Sequence, residues 1–484
     1  MSDPQDRIDA WLNAEVEPLT PPPGTFERIS HRAHRRKVRR ATMSVAGAAI
    51  VIAAAAAAPA IASTLLHPGS GRPPRPVAVG TQSPAVRPSV TGNASGGVNS
   101  QSSSPVPSPG SSLSTAGSGA PVPRNFQPTS VTFVGQVGAV IGRAGTPGHC
   151  PIIPVDCTSL AGTADYGTRW YGVSAPVTGA PDGSHGVGQL RFLDTRDGWA
   201  FGPELWVTHD GGSSWTRERT YGMRVTDLET AGNRAFALFA TCTGGGAEYA
   251  AHCTSFSLYT SVAGTDRWQR VSGPAASLAL PQAGAGQAAS ASLVLTGGPA
   301  GGQGYLLAPS GELLSGPITG TAWTVASQGV PCTPGAPGPS GQPTGALLAA
   351  DSGLLVLVCT SATNPASDTQ AKLVAESSDG GAHWSKAAAA IPAGVATSVA
   401  TQAQDHLVML ATDAGLYRSG DGGLTWQRTQ ASPAAAPAGE TGFSYVGMTS
   451  LTNGVALPAD PGLHEVFITT DGGVSWQAHV VSAP

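Results

Sequence analysis

Four copies of one eight-residue pattern constrain this chain more than any other feature. They read T-H-D-G-G-S-S-W from Thr208 to Trp215, S-S-D-G-G-A-H-W from Ser377 to Trp384, S-G-D-G-G-L-T-W from Ser419 to Trp426, and T-T-D-G-G-V-S-W from Thr469 to Trp476. Each carries a hydroxyl residue, an aspartate two positions on, a glycine pair and a tryptophan. Asp210, Asp379, Asp421 and Asp471 are placed to accept hydrogen bonds from nearby backbone amides. The glycine pairs, with Gly212, Gly381, Gly423 and Gly473 second, can take the positive φ angles of a tight turn. Trp215, Trp384, Trp426 and Trp476 then open the return strand and carry a large apolar ring for packing between sheets. The pattern specifies a β-hairpin, and its recurrence specifies a repeat architecture.

Weaker copies fill the intervals. Thr163, Asp165, Gly167 and Trp170 keep the offsets, Ser261 and Trp268 keep them with Ala263 in place of the aspartate, and Trp323 follows Gly316 and Gly320 with the polar signature gone. The seven tryptophans at 170, 215, 268, 323, 384, 426 and 476 lie 42 to 61 residues apart. That period suits one four-stranded propeller blade with loops of variable length. The expected fold over 128–484 is an all-β, seven-bladed β-propeller, with six or eight blades as the alternative counts. Two units show the strand order well. Strands are expected at Gln189 to Leu193, Gly198 to Phe201, Leu205 to Thr208 and from Trp215, with the hairpin before the last, and the final unit repeats the order from Tyr445 to Trp476.

The N-terminal quarter differs. Residues 1–40 are a basic tail ending in H-R-A-H-R-R-K-V-R-R, and residues 41–66 contain no charge. A helix needs roughly 20 apolar residues to cross a bilayer, so 41–66 is expected to be a transmembrane helix. The cluster of arginines before it places the N-terminus in the cytoplasm and the repeats outside. The alternative is a leader cleaved near Ala62, which would release the protein; either route exports the repeats. Residues 67–127, rich in Pro, Ser and Gly, are expected to form a disordered linker. A cytosolic partner for 1–40 is at most weak, because topology and anionic lipid already account for its arginines.

Residues 128–484 hold 14 Lys and Arg against 24 Asp and Glu. An acidic surface of this kind argues against a nucleic-acid partner. The six cysteines form close couples, Cys150 with Cys157, Cys242 with Cys253, and Cys332 with Cys359. Nearest-neighbour pairing, each couple within a blade, fits a repeat protein folded in an oxidising compartment. No C-x-x-C occurs, and no metal or cofactor is expected.

The four strong octets resemble the Asp-box, or BNR, repeat of β-propellers. The strand arrangement around them, with G-W-A-F-G ahead of the box, is more similar to the propellers of photosystem II assembly factors than to sialidases. With its tail, anchor and linker the chain also looks like actinobacterial membrane-anchored repeat proteins. The resemblance covers about 129–480 and implies fold far more than function. The expected function is a noncatalytic binding or scaffold module at the cell membrane for an extracytoplasmic protein or glycan. A sialidase-like glycoside hydrolase and a membrane-protein assembly factor are the alternatives. The hydrolase would need an arginine cluster, a Tyr–Glu pair and an acid; the chain lacks the early Arg-Ile-Pro motif and any basic residue from Val271 to Cys359. No catalytic residues are expected, and the box aspartates are assigned to turns rather than to calcium.

Overall fold

The computed structural model describes residues 120–144, 157–181, 186–242, 253–279, 291–297, 301–308, 310–327, 330–332, 345–361, 370–387, 393–434 and 439–481. The tail 1–40, the apolar segment 41–66 and nearly all of the linker 67–127 lie outside them. No helix among the described residues is long and apolar enough to cross a membrane.

Seven antiparallel sheets follow one another along the chain, each a meander of consecutive strands. Blade 1 holds β1 (Gln127–Val134), β2 (Val137–Ala144), β3 (Cys157–Thr163) and β4 (Tyr171–Val173), and blade 2 holds β5 (Gln189–Phe192), β6 (Gly198–Phe201), β7 (Leu205–Thr208) and β8 (Thr216–Arg217). Blade 3 comprises β9 (Arg224–Ala231), β10 (Arg234–Cys242), β11 (Cys253–Val262) and β12 (Gln269–Arg270), with the short β13 (Leu278–Ala279) also paired to β11. Blade 4 is β14 (Ser292–Thr296), β15 (Gln303–Leu307), β16 (Leu313–Pro317) and β17 (Thr324–Ser327). Blade 5 is β18 (Gly345–Asp351), β19 (Leu354–Thr360), β20 (Lys372–Ser377) and β21 (Ser385–Ala387). Blade 6 is β22 (Ala396–Gln402), β23 (Leu407–Thr412), β24 (Gly415–Ser419) and β25 (Gln427–Ala431), and blade 7 is β26 (Phe443–Met448), β27 (Gly454–Pro458), β28 (Glu465–Thr469) and β29 (Gln477–Val480). The all-β, seven-bladed architecture expected from the repeat is the one observed.

Second strands are the best buried. Every residue of β19 and β23 is buried, as are the first six of β2, because a middle strand is covered by neighbouring blades on both faces. The apolar clusters accordingly straddle blade boundaries. Phe236, Leu238 and Phe256 of blade 3 pack with Leu306, Leu314 and Trp323 of blade 4. The ring closes in the same way. Val131, Val140 and Trp170 of blade 1 pack with Val455, Val466 and Ile468 of blade 7, and His464 Nδ1 lies 2.7 Å from the Phe126 carbonyl. Each blade keeps its own four strands, so closure rests on side-chain packing rather than on an exchanged strand. Val122 and Phe126, assigned to the linker by composition, are buried in this closing cluster; the packed body begins before Pro128.

Two disulfides are observed, Cys242–Cys253 and Cys332–Cys359. The first staples the β10–β11 hairpin at its loop end, where the two cysteines are cross-strand partners. The second corrects the expectation of pairing within a blade: Cys332 follows the last strand of blade 4, whereas Cys359 lies on the second strand of blade 5. Cys157 begins β3, and Cys150 lies outside the described residues.

Candidate functional site

The octets form the hairpins between third and fourth strands. In blade 2 the Thr208 hydroxyl donates to Asp210 Oδ1 (2.8 Å) and accepts from the Gly212 amide (2.9 Å). Asp210 Oδ1 also accepts from the Ser214 amide (2.9 Å), and Oδ2 accepts from the Ser214 hydroxyl (2.6 Å). The same set recurs around Ser377 and Asp379, Ser419 and Asp421, and Thr469 and Asp471. It is complete in the weaker copy too. Thr163 donates to Asp165, Gly167 donates to Thr163, and Arg169 supplies both an amide and a guanidinium contact to Asp165.

The second glycine has two reasons to lack a side chain. Its φ is positive, between 77° and 92° in the five boxes, and it presses on the preceding blade. A Cβ would stand 2.5 Å from Ile468 at Gly167, 2.3 Å from Leu313 at Gly381, and 2.8 Å from Val374 at Gly423. The box is thus a hook joining each blade to the one before it.

These bonds fix the charge of the box. Hydrogen bonds from the backbone and side chain of His383 hold the Asp379 carboxyl down to about 2. Thr425, through its hydroxyl and amide, likewise holds the Asp421 carboxyl below the usual carboxylate range. Burial opposes the shift at Asp165, Asp210 and Asp471, but the Arg169 guanidinium and amide at Asp165, and the hydroxyl and amide donors at the other two, outweigh it and keep all three below the usual carboxylate range. With both oxygens occupied, the box aspartates have little capacity left for a ligand.

The copies around Ser261 and Trp323 depart from this geometry. Ser261 is buried and donates its hydroxyl to its neighbour's carbonyl, Val262, at 3.3 Å. Asp266, rather than an aspartate at position 263, faces blade 2. There His209 bridges Asp197 through Nδ1 (2.5 Å) and Asp266 through Nε2 (3.0 Å). Burial works against the imidazolium, but the two carboxylates raise its pKa above the usual histidine value. In blade 4 the hairpin is held by Ser272, which donates its amide to the Thr321 carbonyl (2.7 Å) and accepts from the Trp323 amide (3.2 Å).

Chemistry not used by the hooks gathers on the first strands, which stand side by side around the axis. Their inner edges have no further strand to pair with, and side chains of neighbouring first strands satisfy them. Ser130 accepts from the Leu190 amide (3.2 Å), Asp227 from the Leu293 amide (3.0 Å), and Ser398 from the Val446 amide (3.2 Å). Among these groups lie Arg191 on β5, Asp227 and Glu229 on β9, and Tyr445 on β26. Arg191 is 18% exposed; its Nη2 lies 3.0 Å from Glu229 Oε1, and Nη1 donates to the Leu190 carbonyl at 2.8 Å. Burial weakens the Arg191 charge, but Glu229 more than restores it. Burial, reinforced by the Glu229 charge, pushes the Asp227 carboxyl well above the usual range. Burial likewise raises the Tyr445 phenol, against the pull of Arg191. This mixed-charge cluster is the candidate site. Sequence reasoning missed it, although T-D-L-E within β9 sets two acids on one face of an innermost strand.

Other aromatic and charged side chains serve the framework. Trp199 is buried, and Trp206 donates to Glu204 Oε2 at 3.0 Å. Glu204 pairs with Arg217 at 2.8 Å, and Asp351 accepts from the Ala403 amide at 2.7 Å. Glu248 lies outside the described residues. Lys372 is buried and donates to the Gly394 carbonyl; burial pulls its ammonium below the ordinary lysine range. Among the described residues no group of three His, Cys, Asp or Glu side chains is placed to hold a metal ion.

No family model matches the chain. No curated protein matches it either. Similar solved structures include YCF48 from Cyanidioschyzon merolae, at 14% identity and a TM-score of 0.38 over 60% of this chain and 84% of that one. YCF48 bound to D1 peptide gives 14% and 0.39 over 60% and 80%. A polysaccharide lyase of the PL25 ulvan lyase type gives 11% and 0.40 over 76% and 98%. At these identities the likeness concerns fold and not function.

Proposed function

We propose that the chain is a membrane-anchored, extracytoplasmic propeller that binds a protein or glycan partner without transforming it. The observation that carries this is how the charged side chains of the first strands are used. Arg191 is spent on Glu229 and a backbone carbonyl, and Asp227 on a backbone amide. Such groups shape a rigid, mixed-charge surface suited to recognition. The two disulfides support folding outside the cytoplasm, and the apolar, uncharged 41–66 supplies the anchor. Membrane-protein assembly would be one use of the same binding surface. The test is crosslinking of the full chain in living cells. A recurring captured neighbour, lost when Arg191 and Glu229 are both replaced by glutamine in a chain that still folds, is expected; capture indifferent to that replacement would contradict it.

A second reading is favoured by one observation, the presence of Tyr445, Glu229 and Arg191 in one cluster, the residue types of a sialidase-like glycosidase. Two facts weigh against it. Burial shifts the Tyr445 phenol away from the pKa a nucleophile needs, and Arg191 is held by Glu229 rather than left open to a substrate carboxylate. Turnover of fluorogenic sialosides by the full chain, abolished by Glu229→Gln, would establish the hydrolase in place of the binding module.

A further inference from the structure

Away from the axis, a depression of about 440 Å³ opens between blades 5 and 6. Its walls include Glu376, the box residues Asp379 and Trp384, and His406. Glu376 is the last residue of β20 before the box hydroxyl Ser377. It faces the next blade, where Gly422 packs so closely that a Cβ there would stand 2.5 Å from Glu376 Oε2. The corresponding residue of blade 6, Arg418, also faces the next box, and there the contact is complete: Arg418 Nε donates to the Gly472 carbonyl at 2.8 Å. Blade 5 carries the opposite charge at this position and has no such match. Among the described residues Glu376 Oε1 is closed off without a hydrogen-bond partner. Oε2 has, among the described residues, only His406 Nδ1, at 3.4 Å. The Trp384 indole nitrogen in the same wall is also buried without a partner.

A carboxylate offers about four acceptor positions, and leaving them unused inside a protein is costly. Burial accordingly raises the pKa of Glu376, with His406 only partly offsetting it. A ligand that restores the charge must therefore bring a cationic N–H donor to Oε2, the carboxylate oxygen that is not closed off. An aromatic ring beside the carboxylate favours the same chemistry, because its face attracts a guanidinium or ammonium group. The excess of acidic over basic residues in 128–484 would draw a basic partner from a distance.

We propose that this inter-blade pocket receives a guanidinium or alkylammonium side chain of a polypeptide partner, with the Glu376 carboxylate as acceptor and the Trp384 ring as a wall. The polypeptide source rests on the binding-module function proposed above; the cation site itself does not. Binding then requires an ionised Glu376, so a ligand captured at mildly acidic pH displaces a proton.

The test is calorimetric titration of the full chain with an acetylated, amidated Gly-Gly-Arg-Gly-Gly peptide, its glutamine counterpart and methylguanidinium. The arginine peptide is expected to bind at least about tenfold more tightly than the glutamine peptide, and Glu376→Gln to erase that difference. His406→Ala, at an exposed turn, is expected to keep or tighten binding because it removes the competing imidazole. In two buffers of different ionisation heat, proton release on binding should grow as pH falls toward the carboxylate range. Equal affinity for the two peptides, or arginine binding unchanged by Glu376→Gln, would overturn the cation site, and neither outcome touches the crosslinking result. Methylguanidinium binding as tightly as the arginine peptide would overturn the polypeptide source alone. If Glu376→Gln melts early, the peptide pair and His406→Ala still decide the matter.

Discussion

In blade 6 the hairpin before the last strand is tied by Ser419, Asp421 and Thr425, polar side chains at the rim. In blade 4 the equivalent hairpin carries none of these residues. Trp323 is fully buried there, 5.7 Å from the Phe236 ring of blade 3 and so close to Gly304 and Gly316 that a Cβ on either would stand 2.5 Å from the indole. A backbone bridge to Ser272 completes the joint. One hairpin can therefore be fixed by local hydrogen bonds or by a ring driven into the neighbouring blade. The first leaves a motif in the sequence, and the second leaves only a tryptophan.

Replacing each device should show the difference, and the largest effect belongs to blade 4. Trp323→Ala is expected to cost about 3–5 kcal/mol in denaturant unfolding, and Trp215→Ala, in a boxed blade with a half-exposed ring, clearly less. Equal losses would mean that the boxes carry none of the load. Ser419→Ala comes next, at about 1–2 kcal/mol, because it strands the buried Gly423 amide and removes one of the two donors to Asp421 Oδ1.

The boxed blades should also be the acid-sensitive ones. Their aspartates have folded pKa values below the unfolded value of 3.8. Their contribution is thus complete above pH 3.8 and is lost as pH falls through the folded values, to about 2 for Asp379. Hydrogen exchange across that range should loosen the hairpins of blades 2, 5, 6 and 7 before that of blade 4. The His209 bridge between blades 2 and 3 runs the other way. Its raised pKa gives stability that is complete below pH 6.5 and fades as pH rises through the folded value; His209→Gln should flatten that alkaline slope. Smallest of all, Leu424→Ser at an exposed hairpin tip should change stability by no more than about 0.5 kcal/mol.

The same contrast explains what could be read from sequence. Five hairpins were marked by residues that bond within eight positions of one another, so their strands were legible, including Gly198–Phe201 and Leu205–Thr208 as observed. Thr163 and Asp165 had the right offsets, and the structure adds that their hydrogen bonds are complete. Arg191, Asp227, Glu229 and Tyr445 come from three blades, and Glu376 meets His406 across a fourth boundary. No local spacing encodes such meetings; ring closure creates them. Cys332 and Cys359 taught the same lesson, because neighbours in sequence turned out to lie on different blades.

The most direct test of the central claim, that the box hydroxyls and aspartates are internal hooks rather than calcium sites, is amide hydrogen exchange at Gly167, Gly212, Gly381, Gly423 and Gly473 in the full chain, with and without calcium. These five amides donate to the box hydroxyls. Slow exchange that calcium leaves unchanged, and that is lost on replacing the hydroxyl residue by alanine, is the expected result. Fast exchange that slows only when calcium is added would contradict it.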